Sequence, residues 1–326
     1  MTISARRIHL AHLPTPLWRN DALDALVGTR VWVKRDDVTG GAEAGNKLRK
    51  LEFLMADALA TRATVVLTCG AAQSNHARAT ALVAAQLGLK SVLFLRTEDP
   101  TAPPSPTGNL MLDRLVDAEV RFVTPDQYQR RDELMAEVAA ELNDAGEHAY
   151  VIPEGGSNGR GALGYVEAMR EVRDQLDLSL GGGPAAFDAV VHACGSGGTA
   201  AGVALGAGLH NVAPIVCAMA VCDDRPTFEH IVERVVAEVR HLLGTEEAAA
   251  ELRVIDEFKG PAYGEASAEQ IDFIRSVARG CGLILDPVYS GKALFALARL
   301  KDKPERALFI HTGGLPGLLA QAPVFG

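Results

Sequence analysis

A mostly parallel, doubly wound α/β fold is predicted by three features of this 326-residue chain. Short β-branched runs alternate with longer amphipathic runs along the whole length. Most of the short runs are apolar throughout, as expected of strands covered on both faces. Glycine is abundant, at 32 residues, and aromatics make up only 5%, which suits many tight strand–helix turns. At roughly 150 residues per domain the length corresponds to about two domains.

Taken in order, the strand candidates are 31–34 within RVWVK, TVVLT (64–68), KSVLFLR (90–96), EVRFV (119–123), AYVIP (149–153), DAVVHAC (188–194), PIVCAMAV (214–221) and RALFIHT (306–312). Helices are predicted near 47–60, 74–87, 126–145, 160–175, 226–243, 266–280 and 291–300, where apolar residues recur at helical spacing. Two stretches read as connections: 97–109, with four prolines, and the Gly-rich 178–188. No internal repeat or low-complexity segment is visible.

Composition narrows the function. With 48% hydrophobic and 22% charged residues the chain can bury a large core and is not disordered. A net charge of −9 argues against nucleic acid or an anionic membrane as partner. The cysteines, Cys69, Cys194, Cys217, Cys222 and Cys281, are scattered and form no CxxC pair, so neither a zinc site nor a disulfide framework is expected. Cys194 reads as a small buried residue. The first residues lack the apolar core of a secretory signal, and no long uncharged apolar stretch occurs. The expectation is a reduced, cytoplasmic protein that acts on a small molecule and holds no metal.

Four motifs carry chemistry. AGNKLRKLEFL (44–54) places Lys47 in a first helical turn directly behind Gly45-Asn46; only eight of the 32 basic residues are lysines. Desolvation there would lower the lysine's pKa toward a nucleophilic range. CGAAQSNHARATA (69–81) runs from a strand into a helix start, where Gln73, Ser74, Asn75 and His76 lie beside free N–H groups that suit a carboxylate. CGSGGTAAG (194–202) sets Gly195, Ser196, Gly197, Gly198 and Thr199 between an apolar strand and a small-residue helix, a cradle for a phosphate. It is not a P-loop, because no Gly-Lys-Ser/Thr follows. Near the end, GPAYG (260–264), LDPVYSGKA (285–293) and FIHTGGLPGL (309–318) present Tyr263, Tyr289, Ser290 and Thr312 beside glycine or proline. Taken singly, each motif has a plain reading: a solvated lysine, a Ser/Asn cap, a tight turn, two core tyrosines. Together they supply an amine, a phosphate cradle and a carboxylate seat, which is what pyridoxal phosphate chemistry requires.

The ordered set LPTPL, KRDD, GNKLRKLEFL, QSNH, GGSNGRGALGYVE, GSGGTAAG, YG, DPVY and HTGG resembles the 1-aminocyclopropane-1-carboxylate deaminase/D-cysteine desulfhydrase family, from about Leu13 to Leu318. The resemblance implies pyridoxal 5′-phosphate on a fold type II scaffold of the tryptophan-synthase-β kind. It implies two doubly wound open sheets, with a small domain (52–157) inserted into a large cofactor-binding one (1–51 and 158–326), and a homodimer. By the same resemblance Lys47 is the Schiff-base lysine and Asn75 lies beside the cofactor's phenolic oxygen. Ser74, with Gln73, Asn75 and His76, faces the substrate; Gly195, Ser196, Gly197, Gly198 and Thr199 hold the phosphate; Ser290 and Thr312 also border the cofactor. Tyr263 and Tyr289 are the active-site tyrosines.

The deaminases carry Glu directly after the DPVY tyrosine and Leu in HxGG. Here those places hold Ser290 and Thr312, the desulfhydrase-type pair. A neutral hydroxyl stabilises a pyridinium less than a carboxylate does, so elimination of a ready leaving group is favoured over opening a cyclopropane ring. The expected reaction is α,β-elimination, with D-cysteine first and L-cysteate, losing sulfite, second. His76 or Arg78 is the expected cationic partner of a sulfonate. The deaminase is a third reading; a nicotinamide oxidoreductase using GSGGT, and a silent binding module, lie outside the class. One departure stands out: the family's Gly-Gly-Asn-Lys is Ala44-Gly45-Asn46-Lys47 here, and the extra methyl is expected to crowd the loop.

Overall fold

The structure is a computed structural model, and it describes residues 5–325. The predicted apolar runs form two open sheets. The larger has six strands in the order β1-β2-β10-β7-β8-β9. These are β1 (Leu17–Arg19), β2 (Arg30–Lys34), β7 (Ala189–Cys194), β8 (Ile215–Ala220), β9 (Glu251–Ile255) and β10 (Arg306–Ile310). Only β1 runs antiparallel to its neighbour. The smaller sheet is parallel throughout, in the order β5-β4-β3-β6. It comprises β3 (Val65–Ala71), β4 (Lys90–Arg96), β5 (Glu119–Val123) and β6 (Ala149–Val151).

Helices cover both faces of each sheet. On one face of the large sheet lie α1 (Asp21–Val27), α10 (Ala268–Cys281) and α11 (Ser290–Arg299), meeting β2 and β7 through Leu23, Val27, Ile274, Val277 and Leu294. On the other lie α7 (Gly159–Asp177), α8 (Gly198–Leu209) and α9 (Arg225–Leu243). The small sheet packs against α2 (Asn46–Ala60) and α3 (Asn75–Gln86) on one side and α6 (Arg131–Asp144) on the other. Such two-sided cover accounts for the uninterrupted apolar strands.

The structure departs from the sequence reading in a few places. The helix expected over 126–145 is two, α5 (Pro125–Gln129) and α6, because Thr124 caps a separate turn with Pro125 at its start. The proline-rich connection ends at α4 (Gly108–Leu115), and α12 (Leu315–Ala320) follows the HTGG turn. β1, β9 and α1 were not expected; β1 and β9 are short edge strands with exposed positions and lack an apolar run. At Ala44, where crowding was expected, φ is not positive and the carbonyl accepts from Arg78 at 3.1 Å. The inserted unit at 52–157 stands as our proposal. Its first boundary falls inside α2, which packs against α7 as well as against the small sheet.

One buried ionic network ties α2 to the large sheet. Arg49, 1% exposed, donates to both carboxylate oxygens of the fully buried Asp36, at 2.8 Å each, and to Glu171 on α7 at 3.0 Å. Tyr165 Oη donates to Asp36 at 2.7 Å, and Thr15 Oγ1 joins the same carboxylate at 2.9 Å. Lys34 Nζ reaches Glu171 at 2.5 Å and Gln175 at 2.6 Å. Burial alone would raise the Glu171 pKa, but Arg49 and then Lys34 more than offset it and hold it at about 2. Beside this network α2 and α7 approach so closely that a Cβ on Gly164 would lie 2.3 Å from the Arg49 carbonyl oxygen.

Replacing Arg49 by Met removes the ion-pair partner of the buried Asp36 and one of the two cations that hold Glu171. We expect a loss of roughly 3–5 kcal/mol in chemical unfolding, far beyond that of a surface arginine. Because Glu171 has a folded pKa below its ordinary 4.5, its contribution is complete above that value and is lost as pH falls toward about 2. Unfolding free energy should therefore decline across that window, and Glu171→Gln should flatten the decline; an unchanged slope would remove Glu171 from the account.

Candidate active site

In parallel sheets the loops at the carboxyl ends of the strands form the natural cleft. Here those loops from both sheets converge on one cavity of about 500 Å³. Its walls come from Cys69–Ala71 and the turn after β3, from Arg96 at the end of β4, from Glu154 and Gly155 after β6, from Ala193–Gly197, Thr199 and Ala200 at the end of β7 and beyond it, and from Thr312 after β10; Gly198 does not line it.

Lys47 lines this cavity from the first turn of α2. Among the described residues its Nζ has neither an ion pair nor a hydrogen bond. Burial is the main cause that lowers its pKa, to about 8, against weaker opposing influences from Cys194 and Glu154. Gly45 is required behind it: its φ is +127°, and a Cβ there would sit 3.0 Å from the Thr312 carbonyl oxygen, which accepts the Asn46 N–H at 3.1 Å. That contact joins the GNK and HTGG motifs and brings Thr312 to the cavity wall.

Ser74 caps α3, its Oγ accepting from Ala77 N at 3.1 Å, which leaves the hydroxyl proton free to point inward. The orientation of the Asn75 amide follows from a chain of donors. Arg78 can only donate, and its Nε meets Asn109 Oδ1 at 3.0 Å. Asn109 Nδ2 must therefore be the donor to Asn75 Oδ1 at 3.0 Å, so Asn75 Nδ2 is left facing the cavity as a donor. Asn109 also donates to the Gln73 carbonyl, while its own N–H donates to Gln73 Oε1.

Two expected substrate-facing groups are thus elsewhere. Gln73 does not line the cavity; its side chain fastens the start of α4, donating to Thr107 O at 2.9 Å. Arg78 is 1% exposed and turned away, donating to the carbonyls of Ala42 and Ala44 in the loop before Lys47. It is a structural tie rather than a sulfonate partner. His76 does line the cavity, but burial foremost, with Lys47 and Lys50 nearby, pushes its pKa well below the ordinary value. Thr68 Oγ1 gives its proton to Ile152 O, so His76 Nε2 carries the hydrogen in the 2.9 Å contact to Thr68. Nδ1 is left as a buried lone pair without a protein partner. A neutral imidazole is not a cation for a sulfonate.

The Gly195–Thr199 turn closes the opposite wall. Gly197 has φ +78°, and a Cβ on it would press Ile231 Cγ2 at 2.5 Å. Ser196 and Ser157 hydroxyls meet at 2.9 Å, Ser157 Oγ accepts from Gly198 N, and Thr199 Oγ1 accepts from Asn46 Nδ2 at 3.2 Å. The first N–H groups of α8 have no partner inside the helix and point along its axis toward this turn. Lys50, fully buried, donates to Gly155 O at 2.9 Å beside it.

Tyr263 and Tyr289 bring their hydroxyls to 2.5 Å across the cavity. Burial chiefly drives both phenols up, Tyr263 to about 12 and Tyr289 well above its ordinary value, so both keep their protons near neutrality. Two residues outside the expected set hold them. Asp286 accepts from the N–H groups of Val288, Tyr289 and Ser290 and fixes the DPVY turn. Lys292, buried, donates to the carbonyls of Lys259 and Ala262 and holds the Tyr263 loop. Ser290 is completely buried and does not reach the cavity wall; it donates to Asp286 Oδ1 at 2.6 Å.

An unpaired amine, a helix-start cradle of N–H and hydroxyl groups, and an inward amide donor fit a phosphorylated aromatic aldehyde. Comparison with known proteins agrees. The family model described as "Pyridoxal-phosphate dependent enzyme" matches residues 8–313. The bifunctional D-cysteine desulfhydrase/1-aminocyclopropane-1-carboxylate deaminase of Arabidopsis thaliana is 42% identical over 95% of this chain and 78% of its own. The D-cysteine desulfhydrase of Serratia proteamaculans is 39% identical over 97% and 96%. Among solved structures, an ACC deaminase homologue superposes with a TM-score of 0.87 at 36% identity, covering 98% of this chain and 95% of that one. Sequence, fold and cavity thus lead to one family, and the chain belongs to the pyridoxal-phosphate dependent enzymes.

Proposed function

We propose that the protein is a lyase that removes the β-substituent of a small amino acid, with D-cysteine converted to pyruvate, hydrogen sulfide and ammonia. The observation that carries this reading is the desolvated, unpaired Lys47 facing the Tyr263–Tyr289 pair across one cavity. Names borne by the relatives support it.

Pyridoxal phosphate, when bound, supplies the electron sink that lets the Cα proton leave. Residues Gly195–Thr199, with Ser157, would hold its phosphate, Asn75 Nδ2 its ring oxygen, and Lys47 would meet its aldehyde carbon. The helix start at Ser74 and Asn75 receives the substrate's α-carboxylate through N–H groups and the Ser74 hydroxyl. With a pKa of about 8, Lys47 Nζ is poised to take a proton at Cα near neutral pH. The phenol pair keeps a proton available for the departing sulfur, passed from Tyr289 Oη and replaced across the 2.5 Å contact. Water then completes the overall reaction, in which D-cysteine and one water give pyruvate, hydrogen sulfide and ammonia. Ser290 supports elimination over ring opening: its only proton is engaged by Asp286, so it neither donates to nor neutralises a pyridine nitrogen.

The direct test is pyruvate release by the cofactor-loaded protein from D-cysteine, L-cysteate and 1-aminocyclopropane-1-carboxylate in parallel. Fastest turnover of D-cysteine is expected; preference for either of the others would replace the substrate named here. Lys47→Ala should lose the cofactor's visible absorption band and at least about 1000-fold in kcat while the thermal unfolding curve stays cooperative; retained turnover would strip Lys47 of its role. Tyr289→Phe should lower kcat about 100-fold and leave cofactor affinity within about 2-fold. Equal losses in both would make Tyr289 a packing residue.

A further inference from the structure

The cavity has a second cationic wall that the reaction described above does not use. Two arginines line it, Arg96 and Arg131. Arg131 is compensated: it pairs with Glu154 at 3.1 Å, and the same carboxylate accepts from Tyr128 Oη at 2.7 Å. Arg96 is not. Among the described residues it has no ion pair and no side-chain hydrogen bond. Its guanidinium lies between two rings instead, 5.2 Å from the centroid of Tyr128 and 5.7 Å from that of Tyr263.

Aromatic faces offset only part of the cost of withdrawing a guanidinium from water, about 0.5–1 kcal/mol each at ordinary sites. They also leave its edge donors free. A planar fork of N–H donors on a cavity wall suits an oxyanion. The position is equally specific. Arg96 ends β4, and its Cα partner across the sheet is Ala71, at the start of the turn that leads to Ser74 and Asn75. The two backbones are one strand spacing, about 5 Å, apart there. It stacks on Tyr263, whose hydroxyl meets Tyr289.

We propose that Arg96 is the specificity residue for the group on Cβ, and that it selects substrates in which this group is an anion. This rests on the reading of the cavity as an amino-acid lyase site. The substrate class is then amino acids with one negative group at the helix start and a second at Arg96: a sulfonate, a carboxylate or a thiolate, rather than a hydroxyl or an amide.

The test uses the cofactor-loaded enzyme and ligands that differ only in that charge. Aspartate and asparagine, each in D and L form, are titrated calorimetrically into wild type, Arg96→Gln and Arg96→Lys. Wild type should bind the preferred enantiomer of aspartate on the order of 10-fold tighter than the matching asparagine. Arg96→Gln should erase that ratio while leaving asparagine within about 2-fold, and Arg96→Lys should keep part of it. Equal weakening of both ligands would reduce Arg96 to a prop for Tyr263, and no preference in wild type would overturn the proposal outright. The two readings fail separately. An intact aspartate preference without pyruvate from any β-substituted amino acid would sink the lyase reading alone. Pyruvate formation without a charge preference would sink this one alone.

Discussion

A buried arginine dictates where the reactive lysine can be. Arg49 cannot be left without partners in the interior, since stripping a guanidinium of water costs several kcal/mol unless carboxylates and hydrogen bonds replace it. Asp36 and Glu171 do so, and in doing so fix three elements at once. Asp36 follows β2, Glu171 sits on α7, and Arg49 is on α2. Lys47 and Lys50 lie within one turn of Arg49 on the same helix, so the ionic network sets both the height and the rotation of the amine in the cavity. Gly164 completes the constraint: with α7 touching the α2 backbone, the helix cannot slide to relieve strain elsewhere. Thr15, Lys34, Tyr165 and Gln175 satisfy the remaining donors and acceptors, which accounts for so many polar residues in one place.

The same economy runs through the other motifs. Residues that look chemical in the sequence divide into those that face the cavity and those that hold the former in place. Arg78 and Asn109 orient Asn75 and grip the loop before Lys47. Asp286 shapes the turn that carries Tyr289, and Lys292 the loop that carries Tyr263. Each support is buried and spends two or more hydrogen bonds on its neighbours, which makes its geometry rigid.

This division explains what was legible in the sequence. Eight of the ten strands were readable because most of them are apolar throughout, and the Lys47, Ser74–Asn75, Gly195–Thr199, Tyr263 and Tyr289 motifs were readable because glycine turns punctuate them. What was missed falls into two kinds. The edge strands β1 and β9 have exposed positions and no apolar signature. Arg96 ends an ordinary strand, while Asn109 and Lys292 each follow a glycine in the first turn of a helix and read there as plain helix starts. Their importance arises from the pairing of β3 with β4 and the packing of α4 and α11, which are tertiary facts. The errors over Gln73 and Arg78 have the same origin: a helix start has an inner and an outer side, and the spacing alone does not say which residue takes which.

The electrostatics of the cavity run against those of the chain. The protein carries a net −9, yet its cavity gathers Lys47, Lys50 behind it, Arg96 and Arg131 against Glu154 and Asp223. Burial lowers the pKa of Lys47 to about 8, that of Lys50 well below its ordinary value, and keeps His76 neutral. These basic groups are therefore held below their ordinary affinity for protons, and an anion entering the cavity relieves that burden by restoring it. A phosphate at the Gly195–Thr199 turn, next to Lys50, would restore part of the balance, and a substrate carboxylate at the Ser74 helix start a further part. Arg96, stacked on the Tyr263 ring, has no ion pair among the described residues. A small amino acid with a neutral side chain leaves its charge unanswered, whereas one with an anion on Cβ completes the neutralisation at the point where the leaving group departs.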